Sequence, residues 1–132
     1  MGREDGDRRL LVVDDEPAFG QFVQDAAEPL GFEVLTTTSG REFMAAFADF
    51  AATTVVLDVV MPEVEGMELV VWLAKQKYAG RLIVVTGYAP NYARLVSRLA
   101  EASGGMTVTS LAKPVALADL EKALTEDPAA DD

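Results

Sequence analysis

Short apolar runs alternate along this chain with segments of helical periodicity, and no other feature of the sequence constrains the fold as strongly. Five runs are predicted to be strands, at residues 9–14, 33–36, 54–58, 81–86 and 106–111. The first, third and fourth runs are apolar at consecutive positions, which is typical of strands buried on both faces of a parallel sheet. Helices are therefore expected to cover both faces of that sheet.

The segments between the runs carry helix start and stop signals. Pro29 and Gly31 are expected to end the first helix early, because proline lacks a backbone donor and glycine readily adopts the left-handed conformation of a helix terminator. Ser39 and Glu42 have the spacing of a capping box. Five helices are predicted, with signals at Pro17, at Ser39, at Gly66, at Pro90, and at Leu117, Leu120 and Leu124.

This alternation predicts a flavodoxin-like, doubly wound α/β domain with a five-stranded parallel sheet in the order 2-1-3-4-5 and helices on both faces. One domain is expected over residues 9–125, with flexible tails at 1–8 and 126–132, the second of them acidic. In such sheets, ligands bind beyond the carboxyl ends of the strands. Candidate site residues should therefore follow the strands directly.

Charge and composition exclude several classes of function. The 22 acidic and 11 basic residues give a net charge of −11, which argues against direct binding of nucleic acid. The chain has no cysteine and no histidine, which excludes disulfides, thiolate nucleophiles, Ser-His-Asp triads and histidine zinc sites. No apolar run approaches the roughly 20 residues of a membrane span, so we expect a cytoplasmic protein with no membrane partner.

Polar residues follow four of the five predicted strands. They are Asp14, Asp15 and Glu16 after the first, Asp58 at the end of the third, Thr86 and Gly87 at the end of the fourth, and Lys113 and Pro114 after the fifth. Taken singly, the acids could mark a helix start or a turn, and Lys113 could be a solvated surface lysine. Because parallel strands end at the same edge, we instead expect these carboxylates, the hydroxyl and the ammonium to converge.

Four fragments resemble the receiver domains of bacterial two-component response regulators. They read LLVVDDEP at residues 10–17, VVLDVVMPEVEG at 55–66, IVVTGYA at 83–89 and LAKP at 111–114. Each fragment is a weak signal alone, but their order and separation match throughout, so the resemblance covers roughly residues 9–124.

The resemblance implies a phosphorylation site. Asp58 would accept a phosphoryl group from the phosphohistidine of a sensor histidine kinase or a histidine phosphotransfer protein, so the chain is expected to be a signalling domain and not an enzyme. Lys113 and Thr86 would bind oxygens of that group. A cis Lys113–Pro114 bond would aim the lysine inward, and Gly87 would keep the rim open.

The same resemblance implies a bound Mg²⁺, or Mn²⁺ in its place. Asp15, Asp58 and the main-chain carbonyl of Val60 would ligate the ion directly, and Asp14 would act through water. Clustered carboxylates need a cation among them, and all-oxygen ligation suits a hard ion. Phosphorylation would then change the surface that a downstream protein target reads.

Two positions depart from the family pattern. Ser110 stands where the family often has the aromatic residue of the switch, so Tyr88 or Tyr92 is a candidate substitute. Val60 and Tyr88 flank the expected acyl phosphate, and because Val60 has no polar group to orient water, slow hydrolysis is predicted.

Two other functions remain open from the residues. The first is a receiver-like adaptor that works without phosphorylation, which Ser110 favours and the complete set of acids and lysine disfavours. The second is a haloacid-dehalogenase-type phosphatase, which the absence of a second aspartate at Val60 disfavours. The chain is expected to be a stand-alone receiver or a piece of a longer regulator.

Overall fold

The computed structural model describes residues 8–58, 64–86 and 105–125, together with helical positions 94 and 98. Its strands are β1 Arg9–Val13, β2 Glu33–Thr37, β3 Thr54–Asp58, β4 Arg81–Thr86 and β5 Thr107–Ala112. The described helices are α1 Pro17–Ala27, a 3₁₀ turn Glu28–Leu30, α2 Gly40–Phe50, α3 Val64–Lys75 and α4 Leu117–Thr125. The helix predicted from Pro90 lies outside the described ranges.

All five strands are parallel and follow the order β2-β1-β3-β4-β5, which confirms the predicted flavodoxin-like sheet. The register of β1 and β3 decides where the site forms. Val13 lies opposite Leu57, so Asp14 and Asp58, each one residue further on, come side by side at the carboxyl edge.

Alternate residues of the central strands belong to two separate apolar clusters, one on each face of the sheet. Leu11 and Val13 of β1 pack on the face covered by α2 and α3, where Phe43 is fully buried. Leu10 and Val12 pack on the opposite face with α1 and α4. Burial on both faces is the reason why β1, β3 and β4 lack alternating polar residues.

The end of the first helix agrees with its sequence signals. α1 stops at Ala27, Pro29 falls within the 3₁₀ turn, and Gly31 follows with a φ of 93°. That backbone conformation lies in the left-handed region, where glycine avoids the steric cost of a side chain.

The predicted capping box of α2 forms with one difference. The Ser39 hydroxyl accepts a hydrogen bond from the Glu42 backbone N–H at 3.2 Å, as predicted. The Glu42 carboxylate accepts the reciprocal bond from the backbone N–H of Thr38, at 2.9 Å, and not from that of Ser39.

One sequence interpretation of the helices was wrong. α3 begins at Val64, so Gly66 lies within its first turn and does not precede the helix. The helix predicted from Leu117, Leu120 and Leu124 forms as α4. Leu120 and Leu124 are buried, and Leu117, at the start of the helix, is 50% exposed.

Strand ends differ by one residue from the predicted limits in β1, β2 and β5, while β3 and β4 match. Asp14 falls just beyond β1, although its backbone N–H still donates to the Thr37 carbonyl at 3.1 Å. Among the described residues, no helix has the length and apolar character that crossing a bilayer would require.

Candidate functional site

Three carboxylates converge at the carboxyl edge of the sheet, as the sequence predicts. One oxygen each from Asp14, Asp15 and Asp58 can be chosen so that all lie within 4.8 Å of one another. Asp14 and Asp58 are 1% and 2% exposed, whereas Asp15 is exposed to solvent. The cluster is therefore a pair of buried acids with one acid open to water.

Lys113 reaches into this cluster from the loop after β5. Its Nζ donates to Asp14 Oδ2 at 3.2 Å and to Asp58 Oδ2 at 3.1 Å, and it lies 3.8 Å from Glu16 Oε1. The Lys113–Pro114 bond is cis, which confirms that prediction. The Lys113 ammonium thus donates hydrogen bonds to both buried carboxylates.

Burial and charge together set the protonation of these groups. Burial and, to a smaller extent, the nearby Asp58 charge raise the pKa of Asp14 to about 6, against the lowering effects of the hydrogen bond from the Glu16 backbone N–H and of Lys113. Burial by itself would lower the pKa of Lys113, but its hydrogen bonds and charge interactions with Asp58 and Asp14 outweigh that effect and raise it.

The donor set fits a hard divalent cation. The three clustered groups are all carboxylates, and two of them are buried beside a single ammonium, which leaves uncompensated negative charge. Asp14 Oδ1 already accepts a bond from the Glu16 backbone N–H at 2.8 Å, which fixes the orientation of that carboxylate.

Several predicted site residues cannot be placed against this cluster. Val60, Gly87 and Tyr88, with the candidate substitute Tyr92, fall outside the described ranges. Thr86 ends β4, and its backbone lies opposite Ala112 of β5; its side chain is not among those described. Ser110 lies on β5 opposite Val84 and is exposed.

The contact of Lys113 with Phe19 has no counterpart in the sequence reasoning, whereas Glu16 was among the carboxylates expected to converge. The Phe19 ring of α1 lies under the ammonium, with its centroid 4.7 Å from Nζ, and the exposed Glu16 is a third acid near the same atom. These residues line a groove of about 330 Å³ together with Ala18, Phe22, Pro114 and Val115. Phe19, Phe22 and Val23 recur at helical spacing, which predicts an inward face of α1 but carries no signal for the loop that Phe19 meets.

Comparison with known proteins agrees with this fold. The family model described as the response regulator receiver domain matches residues 10–125. The chain belongs to this family, whose members are signalling domains of two-component systems that interact with histidine kinases and downstream effectors.

Individual relatives match over shorter stretches. The response regulator SaeR of Staphylococcus aureus is 40% identical over 68 residues, which cover 52% of this chain and 29% of SaeR. The transcriptional regulatory protein TrcR of Mycobacterium tuberculosis is 38% identical over 61 residues, which cover 46% of this chain and 24% of TrcR. The matched segments thus span less than a third of these relatives.

A solved structure matches nearly the whole chain. The CheY-like receiver domain protein from Methanospirillum hungatei JF-1 superposes with a TM-score of 0.75 at 28% identity, covering 90% of this chain and 91% of that one.

Proposed function

We propose that this chain accepts a phosphoryl group on Asp58 from the phosphohistidine of a sensor histidine kinase or a histidine phosphotransfer protein. The modified chain then changes its contacts with a downstream protein target, and so acts as a signalling domain and not as an enzyme. The observation that supports this proposal is the position of Asp58 Oδ2, 3.1 Å from Lys113 Nζ within a cluster of three acids.

The transfer requires one nucleophile and little other covalent chemistry. An Asp58 carboxylate oxygen attacks phosphorus, and the bond between phosphorus and the donor imidazole nitrogen breaks. The electron pair of that bond stays on the nitrogen, which takes up a proton from water. The product is an acyl phosphate on Asp58 and a neutral histidine on the donor.

Charge neutralisation by this chain's own residues follows from the geometry. Lys113 hydrogen-bonds Asp58 and is thus beside the point where phosphorus arrives, so its ammonium can bind an oxygen of the transferred group. Thr86, at the end of β4, is proposed to donate its hydroxyl to another oxygen. Asp14 accepts a second hydrogen bond from the same ammonium, at 3.2 Å.

Mg²⁺, or Mn²⁺ in its place, is the proposed cofactor. Asp15 and Asp58, the main-chain carbonyl of Val60, and Asp14 through water are proposed to hold the ion. When bound, such an ion neutralises charge on the transferred group.

Two proposals concern the state after phosphorylation. Because Ser110 is small and exposed on β5, the switch is proposed to use another group, with Tyr88 as the candidate. Gly87 beside Thr86 would leave room for that movement. Since Val60 has no polar side chain to orient water, we expect the acyl phosphate to persist for longer than seconds.

Intact-mass measurement after incubation with acetyl phosphate and Mg²⁺ tests the proposal. The parent protein is expected to gain the mass of one phosphoryl group, and Asp58→Asn is expected to gain none. Asp49→Asn, an exposed acid on α2, serves as the matched control and should behave as the parent does. An equal gain in Asp58→Asn would assign the modification elsewhere, and no gain in the parent would favour the adaptor function.

A further inference from the structure

The ammonium of Lys113 has two kinds of partner. Asp14 and Asp58 accept its hydrogen bonds, and it lies over the Phe19 ring, with Nζ 4.7 Å from the ring centroid. This distance is within the range of a cation–π interaction, in which the negative face of the ring attracts a cation. The lysine therefore has an aromatic partner in addition to its carboxylates.

The ring is in a position to act as a fixed support. Phe19 lies in the first turns of α1 and packs against the apolar cluster beneath that helix. The Phe22 ring contacts it with centroids 5.9 Å apart. Lysine, by contrast, has a flexible four-carbon stem, and holding it in one rotamer costs conformational entropy.

The aromatic contact differs from the carboxylate contacts in one chemical respect. When an Asp58 oxygen becomes bonded to phosphorus, the Asp58 carboxylate loses its own charge, and its pull on the lysine changes. The attraction of the ring for the ammonium does not depend on that charge. A partner of this kind can keep the ammonium beside the reacting atoms throughout the transfer.

We propose that Phe19 is a positioning residue for phosphoryl transfer, whose π face holds the Lys113 ammonium beside Asp58. The inference rests on the proposed function, that Asp58 accepts the phosphoryl group. It differs from a packing role because it depends on the charge distribution of the ring and not on its volume alone.

A series of ring-fluorinated phenylalanines at position 19 separates the two roles, since fluorine withdraws charge from the ring face with little change of shape. The rate to measure is that of Asp58 phosphorylation by acetyl phosphate at saturating Mg²⁺, in which the Asp58 oxygen bonds to phosphorus and acetate leaves with the electron pair of the broken P–O bond. This small donor avoids any docking of a partner protein on α1.

The rate is expected to fall stepwise along the series, by about two- to thirty-fold in total, as a cation–π interaction is removed. Phe19→Trp should retain the rate, and Phe19→Leu should lose it. The same fluorinated series at Phe22 is the matched control, because in the described part of the chain no cation lies over that ring. If the phosphorylation rate does not change along the Phe19 series, or falls equally along the Phe22 series, the positioning role is overturned.

A second measurement needs no phosphorylation. The variants Phe19→Leu and Lys113→Met are combined in a double-mutant cycle of urea unfolding, with an expected coupling of about two- to five-fold in the unfolding constant. Absence of coupling would overturn the cation–π contact itself. If the parent protein takes up no phosphoryl group, both the proposed function and the positioning role are overturned. If the parent is phosphorylated but the rate does not change along the fluorinated Phe19 series, only the positioning role is overturned.

Discussion

Asp14 and Asp58 are buried side by side, and the ammonium of Lys113 bonds to both. Removing a carboxylate from water disfavours its charged form, and a second carboxylate nearby adds to that cost. The pKa of Asp14, at about 6, reports both effects. Before any metal ion binds, ionised Asp14 therefore opposes folding at neutral pH, and a cation that binds there can offset this cost.

The first prediction concerns the pH dependence of stability in the presence of a chelator. Because the pKa of Asp14 rises from 3.8 to about 6 on folding, the folded state binds more protons between these values, and its stability falls as pH rises through that window. In urea unfolding, the free energy of unfolding of the parent relative to Asp14→Asn should drop by up to about 3 kcal/mol from pH 3.5 to pH 7. Parallel pH profiles for the two proteins would contradict this prediction.

A second prediction concerns the lysine. Lys113→Met leaves two buried acids without their cation, so the chelated protein at pH 7 should lose about 1–3 kcal/mol of unfolding free energy, with proton uptake by Asp14 limiting the loss. Lys122→Met, which removes an exposed lysine from α4, should change it by less than about 0.5 kcal/mol. Adding Asp14→Asn to Lys113→Met should recover most of the loss, and failure to do so would locate the effect outside this charge cluster.

Among the structural elements, two helix ends are fastened to the sheet by arginines at the starts of strands. Arg9 of β1 donates to the Phe50 carbonyl at the end of α2, and Arg81 of β4 donates to carbonyls at the end of α4. The final carbonyls of a helix lack partners within it and carry partial negative charge. A guanidinium there donates hydrogen bonds to these carbonyls, and its positive charge interacts favourably with the negative end of the helix dipole.

The third prediction tests this fastening at α4. Arg81 Nη1 donates to the carbonyls of Ala123 and Leu124 at 2.9 and 2.7 Å, so Arg81→Met should cost about 1–3 kcal/mol of unfolding free energy. Amide hydrogen exchange should quicken in α4 more than in α2. The control is Arg41→Met, an exposed arginine on α2, which should be nearly neutral. Uniform loss of protection in both helices would indicate a general rather than a local effect.

At the scale of the whole molecule, the sequence predicted what depends on periodicity and missed what depends on packing between distant elements. The third strand was predicted residue for residue, because every side chain of Thr54–Asp58 is buried and the run has sharp limits. The acids were predicted because parallel strands end together. The contact of Phe19 with Lys113 joins α1 to a loop 94 positions away, and no local pattern encodes such a pairing.

The net charge of −11 also acts on the molecule as a whole, and its effect differs in kind from that of the acid cluster. Mutual repulsion among many surface acids opposes compactness and is screened by any salt, over a Debye length of about 10 Å at 0.1 M. The cluster of Asp14, Asp15 and Asp58 instead offers convergent ligand atoms to one ion. Surface repulsion should therefore respond to any salt, whereas the acid cluster should respond specifically to a divalent cation that binds there.

The last prediction uses that separation. NaCl should raise the free energy of unfolding gradually and without saturation, whereas MgCl₂ at equal ionic strength should add a saturable increment of about 1–3 kcal/mol when it reaches 10 to 100 times its dissociation constant. Asp15→Asn should abolish that increment and leave the NaCl response intact, because Asp15 is exposed and its loss disturbs no packing. Asp49→Asn removes an equally exposed charge far from the cluster and should keep the increment. If both variants reduced the increment equally, Mg²⁺ would be acting by general screening, and the carboxyl edge of the sheet would not be its binding site.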